Sequence, residues 1–393
     1  LSDVLTVPTG TDVTELSAVL DAVEGFMASF IVWPDDQCGP MAALWAAHTH
    51  VARLFYHTPR LMITALTHEA GKTRVLEVLG MVCASAVRSS SVTPSVIFTR
   101  IESASGSEGH ALPTFLLDEV DKSFDRDLVA ILNDGYKAGA SVLRTDFPDG
   151  NRKTKEFPTF APVAVAGLSE HRMPDDFMSR TIRIGMTRKP KGASVARLDE
   201  RKHRPEGAKL AGALSSVLAG HASFLHMHEP VMPEGLGDRA YDIWEPLVAI
   251  ADAAGGAWPE RARAACEHFA SGPRSRAQMT LPELLMRDTR TLYEEFSAAT
   301  FASDVVAVFE GEKPPIVDAV HISSRWLVRA LVERDEWPYG NLNKPLNVHR
   351  LAGWLQPFGI EPVQFRHEVT GVQARGYRWA DFREVWATIA TDG

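Results

Sequence analysis

The sequence predicts an α/β core set between helical segments and followed by a small unit of helices and a hairpin. Three observations carry this expectation. From Pro59 to about Thr187, short apolar runs alternate with helical patterns, as strands and helices do around one sheet. One of these runs, Arg60-Leu61-Met62-Ile63-Thr64-Ala65-Leu66, leads through a short loop into a helical pattern that begins at Lys72. Beyond Pro314-Pro315, helical patterns precede two short strand-like runs. The 393 residues are 45% hydrophobic and 23% charged, which excludes disordered, collagen-like and coiled-coil classes. No uncharged apolar run approaches the roughly 18–20 residues that cross a bilayer, and no charged-then-apolar leader opens the chain. A cytoplasmic location without a membrane partner is therefore expected. Cys38, Cys83 and Cys266 are too far apart for a disulfide framework or a CxxC zinc knuckle. The net charge of −9 confines any nucleic-acid site to a local basic patch.

Four regions follow along the chain. Residues 1–58 read as an N-terminal helical segment: Leu16, Val19, Leu20, Val23, Phe26 and Met27 recur at helical spacing. Pro34 and Gly39-Pro40 interrupt that pattern, and a second apolar helix runs through Leu44, Trp45, Ala47, Val51, Leu54 and Phe55. Residues 59–187 form the α/β core. Residues 188–312 read as a helical lid, divided by a Pro/Gly cluster at 229–237, and 313–393 as the last unit.

In the core, the strand at 60–66 is followed by Thr67-His68-Glu69-Ala70-Gly71-Lys72-Thr73 and the helix Arg74-Val75-Leu76-Glu77-Val78-Leu79. Strand, loop, Gly-Lys-Thr and helix make a P-loop arrangement. In it, backbone N–H groups from Ala70 to Arg74 and the helix N-terminus hold phosphate oxygens, Lys72 adds a point charge, and Thr73 ligates Mg²⁺. The first glycine of the full pattern is missing, because position 66 is Leu66. A chance Gly-Lys-Thr at a helix start is the plain alternative. Against it stands Phe115-Leu116-Leu117-Asp118-Glu119, an apolar strand ending in adjacent carboxylates 46 residues beyond Lys72. Asp118 is expected to support the metal and Glu119 to position the attacking water, with the two clusters on neighbouring strands. Asp121 reads as a cap for the next helix.

Ser141–Phe147 and Arg152–Phe157 flank a Pro-Asp-Gly-Asn turn, a hairpin signal. Its position before the apolar strand at 162–168 resembles that of the channel hairpin in ring helicases of the superfamily-3 and minichromosome-maintenance type. Arg152, Lys153 and Lys155 would then meet DNA phosphates; a solvated basic turn is the alternative. Ser169 stands where AAA-type ATPases sense the γ-phosphate. Arg180, between a helix end and a strand, is expected as an arginine finger acting in a neighbouring subunit's site, with Arg183 second and a structural ion pair as the alternative. Arg239 is expected either to reach the nucleotide from the lid or to pair with Asp242.

Several segments resemble a poorly characterised family of P-loop proteins of actinobacteria, phages and prophages, described as helicase- or primase-associated and classed as a domain of unknown function. They are Leu44-Trp45-Ala46-Ala47-His48-Thr49-His50, Gly71–Glu77, Leu116–Asp121, Asp238-Arg239 with Trp244-Glu245-Pro246-Leu247 and Ala249–Gly256, and Gly376-Tyr377 with Asp381-Phe382. The resemblance implies an AAA-like core in a homo-oligomeric, hexameric ring, and leaves the substrate open. His48 and His50, at i,i+2 on a helix, point apart and read as structural, as do His226 and His228.

In the last unit, helices at 323–331 and 345–355 precede strands at 362–366 and 374–379 and a final helix at 382–389, a winged-helix order. Lys344, Arg350, Arg366, Arg375 and Arg378 would form a DNA face, or the unit would dock a protein. The resulting expectation is an AAA-like P-loop ATPase using ATP and Mg²⁺, working as a DNA translocase, helicase or replication initiator with possible replication-protein partners. A helicase loader or protein-remodelling ATPase, and a DNA-binding adaptor with structural nucleotide, are the alternatives.

Overall fold

The computed structural model describes residues 15–65, 70–105, 111–118, 126–146, 153–167, 175–189, 192–270, 281–300, 320–334, 337–340, 345–366 and 371–389. They divide into two compact units, one holding the described residues up to Ala270 and one those from Leu281 onward.

The strands of the first unit are β1 Arg60–Ala65, β2 Ala86–Ser89, β3 Thr114–Leu117, β4 Ser141–Asp146, β5 Lys153–Pro158, β6 Val163–Gly167 and β7 Thr181–Met186. Five make one sheet in the order β2-β3-β6-β1-β7, every pair parallel. The other two, β4 and β5, form an antiparallel ribbon. Every residue of β1, β3 and β6 is buried, which requires cover on both faces of the sheet. Side chains alternate between those faces. Leu61, Ile63, Leu116, Ala164, Ile182 and Ile184 enter one core, and Met62, Phe115, Leu117, Val163 and Val165 enter the other.

The first core is closed by helices α1 Leu16–Ala28, α2 Cys38–Val51 and α3 Lys72–Val82. The opposite face is covered by α4 Pro94–Ser105, α5 Arg126–Asp134 and Phe177 of the short α6 Asp175–Met178. Helices α7 Glu200–Gly220, α8 Ala222–Met227, α9 Asp238–Ala254 and α10 Trp258–Ala270 then return to the first face. The segments expected as a separate N-terminal part and a lid thus share one helical layer with α3. Helix α2 is buried on nearly every side, so its sequence is apolar all round rather than striped. Arg261 ties α10 to α1, donating to both Glu24 carboxylate oxygens at 2.6 Å while lying 4.4 Å above the Trp258 ring. Among the described residues no helix is long and apolar enough to cross a membrane.

The second unit contains α11 Leu281–Thr300, β8 His321–Ser323, α12 Ser324–Val332, α13 Val348–Leu355, β9 Val363–Arg366, β10 Gln373–Arg378 and α14 Trp379–Ile389. Its strands form an antiparallel sheet in the order β8-β10-β9. Ser323 caps α12, and Asn347 caps α13 through the N–H groups of His349 and Arg350. Helix α11, grouped with the lid in the sequence reading, packs in this unit: Trp386 Nε1 donates to Met286 O at 2.8 Å, and Tyr339 Oη donates to Asp288 at 2.7 Å. Strand β8 has no sequence signal of its own, because three residues are too few to show a period. It fits beside β10 because position 376 is glycine; a Cβ there would lie 2.0 Å from Ile322 O.

Candidate functional site

At the carboxyl edge of the sheet, the chain leaves β1 and enters α3 through Gly71, whose φ of +88° is the left-handed conformation that glycine adopts without strain. Lys72 is the first helical residue and is half-buried; Ala70 is buried and Thr73 exposed. The α3 N-terminus, whose first N–H groups have no partner within the helix and where the helix dipole is positive, therefore opens at this edge. The end of β7 packs here too, with Met186 Cε 3.7 Å from the place a Gly71 Cβ would take. Asp118 directly follows β3 and is half-buried, its N–H donating to Ser89 O at 2.9 Å.

Gly71-Lys72-Thr73 and Asp118 thus follow strands that point the same way, but not neighbouring ones. The expectation of adjacency is corrected: β6 stands between β1 and β3, two interstrand steps of about 4.8 Å each. Insertion of β6 there makes a topological switch point, where α/β sheets open a crevice beyond their carboxyl ends. The Arg74 side chain donates from Nε to Glu77 Oε2 at 3.1 Å, and Glu77 also holds Arg88 at 3.7 Å. Leu66, Glu119, Asp121, Arg152, Ser169 and Lys344 lie outside the described residues, and Lys153 is described only as backbone of β5.

The amino edge of the sheet holds a second cluster. Arg60 is 1% exposed; its guanidinium donates to Leu132 O at 3.0 and 2.8 Å and to Ala161 O at 2.5 Å. Burial, and secondarily the charge of Arg180, draws the Arg60 pKa down to about 9. Arg180 immediately precedes β7 and accepts the Arg60 N–H on its carbonyl at 3.1 Å. Its guanidinium lies 4.7 Å above the Tyr136 ring, and Nη1 donates to Asp176 O at 3.0 Å. His57 stacks on the same ring, centroids 5.3 Å apart, with Nδ1 3.6 Å from Asp242. Arg183, the second candidate, sits within β7 opposite Met62.

Arg239 belongs to this amino-edge cluster. Its Nη1 donates to Ser179 Oγ and stands 3.7 Å from Asp176. The full length of β7, six residues or about 20 Å, separates that position from the Gly71 edge. The expectation that Arg239 reaches the nucleotide of its own P-loop is therefore corrected, as is the pairing with Asp242, which meets His57 instead. Nothing in the sequence links Arg239 to Ser179, 60 residues earlier.

The hairpin expected at 141–157 is the β4–β5 ribbon, with Arg144 opposite Lys155. Lys155 pairs with Glu102 of α4 at 2.7 Å and lies 4.7 Å from the Phe157 ring, so its charge is already engaged within the fold. Arg375 and Arg378 are exposed on β10. His48 is fully buried with Nε2 3.0 Å from Thr58 Oγ1, and burial, aided by the charge of Arg60, lowers its pKa to about 3. His50 meets Val82 O at 2.9 Å. His228, expected to be structural, meets a carboxylate: Asp252 Oδ2 lies 2.9 Å away, and Arg263 grips the same carboxylate at 2.7 and 3.0 Å. Burial works to raise the Asp252 pKa, but the hydrogen bonds and charges of Arg263 and His228 outweigh it and hold it below its usual range. Burial raises the pKa of Cys83 and of Cys266 to about 12, so neither thiol is a ready nucleophile. Among the described residues no group of three or more His, Cys, Asp or Glu could hold a metal ion.

This sheet, opened at a switch point with a lysine-bearing helix N-terminus, places the chain in the α/β class. The chain belongs to the family described as "Protein of unknown function (DUF3631)", which matches residues 185–314 and 303–389. A protein of Saccharopolyspora erythraea described as "Uncharacterized 28.9 kDa protein in xis 5'region" is 32% identical over 208 residues, 53% of this chain and 69% of that one. Arg239 lies inside the matched family residues; Lys72, Asp118 and Arg180 precede them.

Proposed function

We propose that the chain is an AAA-like P-loop ATPase whose second unit is a winged helix. The observation that carries this reading is the sheet order: Gly71-Lys72-Thr73 and Asp118 stand at one edge with β6 between their strands. The donor set fits a magnesium triphosphate. Backbone N–H groups from Ala70 to Arg74 and the α3 N-terminus would hold phosphate oxygens, Lys72 the outer phosphates, Thr73 and Asp118 the Mg²⁺ and its water shell, and Glu119 the attacking water. Ser169 would read the γ-phosphate. Bound Mg²⁺ supplies neutralisation of charge on the phosphate oxygens. Arg180, a strand length from its own Lys72, would serve a neighbouring copy in a ring.

The work output we propose is movement along DNA by way of the β4–β5 ribbon and the second unit, in a helicase or replication initiator. The order α11, β8, α12, α13, β9, β10 with sheet order β8-β10-β9 supports the winged-helix reading. Remodelling of a protein partner is the second reading. It is favoured by 16 acidic against 12 basic residues over 279–393 and by the engagement of Lys155 with Glu102.

Hydrolysis by wild-type protein and by Lys72→Ala tests the first claim. A loss of about 10²–10³-fold in kcat is expected, and an unchanged rate in Lys72→Ala removes the P-loop reading. A strand-displacement assay tests the second claim: robust hydrolysis without unwinding selects the remodelling ATPase.

A further inference from the structure

We infer that Arg239 is a positioning residue for Arg180, acting through Ser179 and the Asp176 carbonyl; the inference rests on the proposed role of Arg180 in hydrolysis. The turn before β7 is fixed by its backbone: Arg180 N donates to Phe177 O at 3.1 Å, Phe177 is fully buried, and Arg180 O accepts from Arg60 N. The Arg180 guanidinium has weaker restraints. It rests on the face of Tyr136 and, among the described residues, donates one hydrogen bond, from Nη1 to Asp176 O at 3.0 Å. That carbonyl is shared, because Ser179 Oγ also donates to it, at 2.9 Å. Ser179 Oγ is in turn the acceptor for Arg239 Nη1.

The result is a relay: Arg239 to Ser179 hydroxyl, Ser179 to Asp176 carbonyl, and Arg180 to the same carbonyl. A hydroxyl donates and accepts at once. The guanidinium charge polarises it and strengthens its outgoing bond. Arg239 also draws the Asp176 carboxylate to 3.7 Å, which holds the turn from its other side. Arg239 is anchored in the first turn of α9, whose Ile243, Trp244 and Leu247 are buried in the helical layer. A displacement of α9 would therefore reach Arg180 through three polar contacts.

An isolated surface pair of this exposure contributes little to stability. Its effect is sought in kinetics rather than in the melting temperature. Steady-state hydrolysis by the full chain is measured for Arg239→Ala, Ser179→Ala, Arg180→Ala and their double variants, with Lys72→Ala as control. Arg180→Ala is expected to lower kcat by ~10³-fold. Arg239→Ala and Ser179→Ala are each expected to lower it about 5–10-fold with KM for ATP unchanged. The Arg239/Ser179 double variant is expected to match either single one, and Arg239→Ala to add nothing to Arg180→Ala. Arg239→Lys should recover part of the rate.

A raised KM in Arg239→Ala without the same change in Ser179→Ala would overturn the inference, since Arg239 would then contact nucleotide directly. Effects that multiply in the Arg180→Ala background would overturn it as well. If Lys72→Ala hydrolyses as fast as wild type, or wild type does not hydrolyse ATP, the P-loop reading itself fails and the inference falls with it. That outcome is distinct from a Lys72-dependent rate that ignores Arg239.

Discussion

The two edges of the five-stranded sheet gather their charged groups by opposite routes. At the carboxyl edge, Gly71, Lys72 and Thr73 are consecutive, and a left-handed glycine delivers them to the start of α3. Asp118 arrives as the next residue after β3. At the amino edge, His57, Tyr136, Asp176 with Arg180, and Arg239 with Asp242 come from four places in the chain and meet through side-chain contacts. A site made of backbone N–H groups is carried by a local motif, because the helix itself provides the donors. A site made of stacked rings and guanidinium groups needs the tertiary fold to bring its members together.

The largest effect that would sharpen this contrast is on Arg60, which braces the amino edge. Arg60→Ala removes the donors to the buried Leu132 and Ala161 carbonyls. It is expected to cost about 3 kcal/mol, read from the urea midpoint. A cost below ~0.5 kcal/mol would show that water or a backbone shift satisfies both carbonyls and that the edge is not braced there. At the carboxyl edge, Gly71→Ala is expected to cost about 1–2 kcal/mol through the left-handed backbone alone, since the space for a Cβ is adequate. An unchanged midpoint would mean that this edge relaxes freely.

The last effect is one of pH, and near neutrality it is small. His48, beside Arg60, titrates at about 3 in the fold against about 6.5 in an unfolded chain. Well above pH 6.5 it is neutral in both states and adds no pH dependence. As the pH falls below about 6.5, the unfolded chain takes up a proton that the folded chain refuses, so stability declines, by at most about 1.4 kcal/mol per pH unit, until the pH approaches 3. His48→Asn is expected to have a shallower decline across that window. Parallel curves for the variant and wild type would show that other groups set the acid limit.

Legibility followed the same division. Strands β1, β3, β6 and β7 and the turn into α3 were readable because buried runs and Gly-Lys-Thr are local signals. The interposition of β6 was not, since strand order is set by which apolar faces pack rather than by neighbours in the chain. The place of Arg239 at a helix start was legible but its partners were not, because a helix pattern places a residue on its helix and not on the surface the helix meets. Asp252 was not connected to His228, although 24 residues is a short distance along the chain, because an intervening loop and helix bring them together.

The sequence by itself determined most of the elements and one local motif, Gly71-Lys72-Thr73 at a helix start: apolar periodicity, caps and glycine conformations act over a few residues and need no partner. The tertiary structure alone decided which side chains share an edge. The order of the parallel strands, and the approach of α9 to the turn before β7, are resolved only when two buried faces close against their helices.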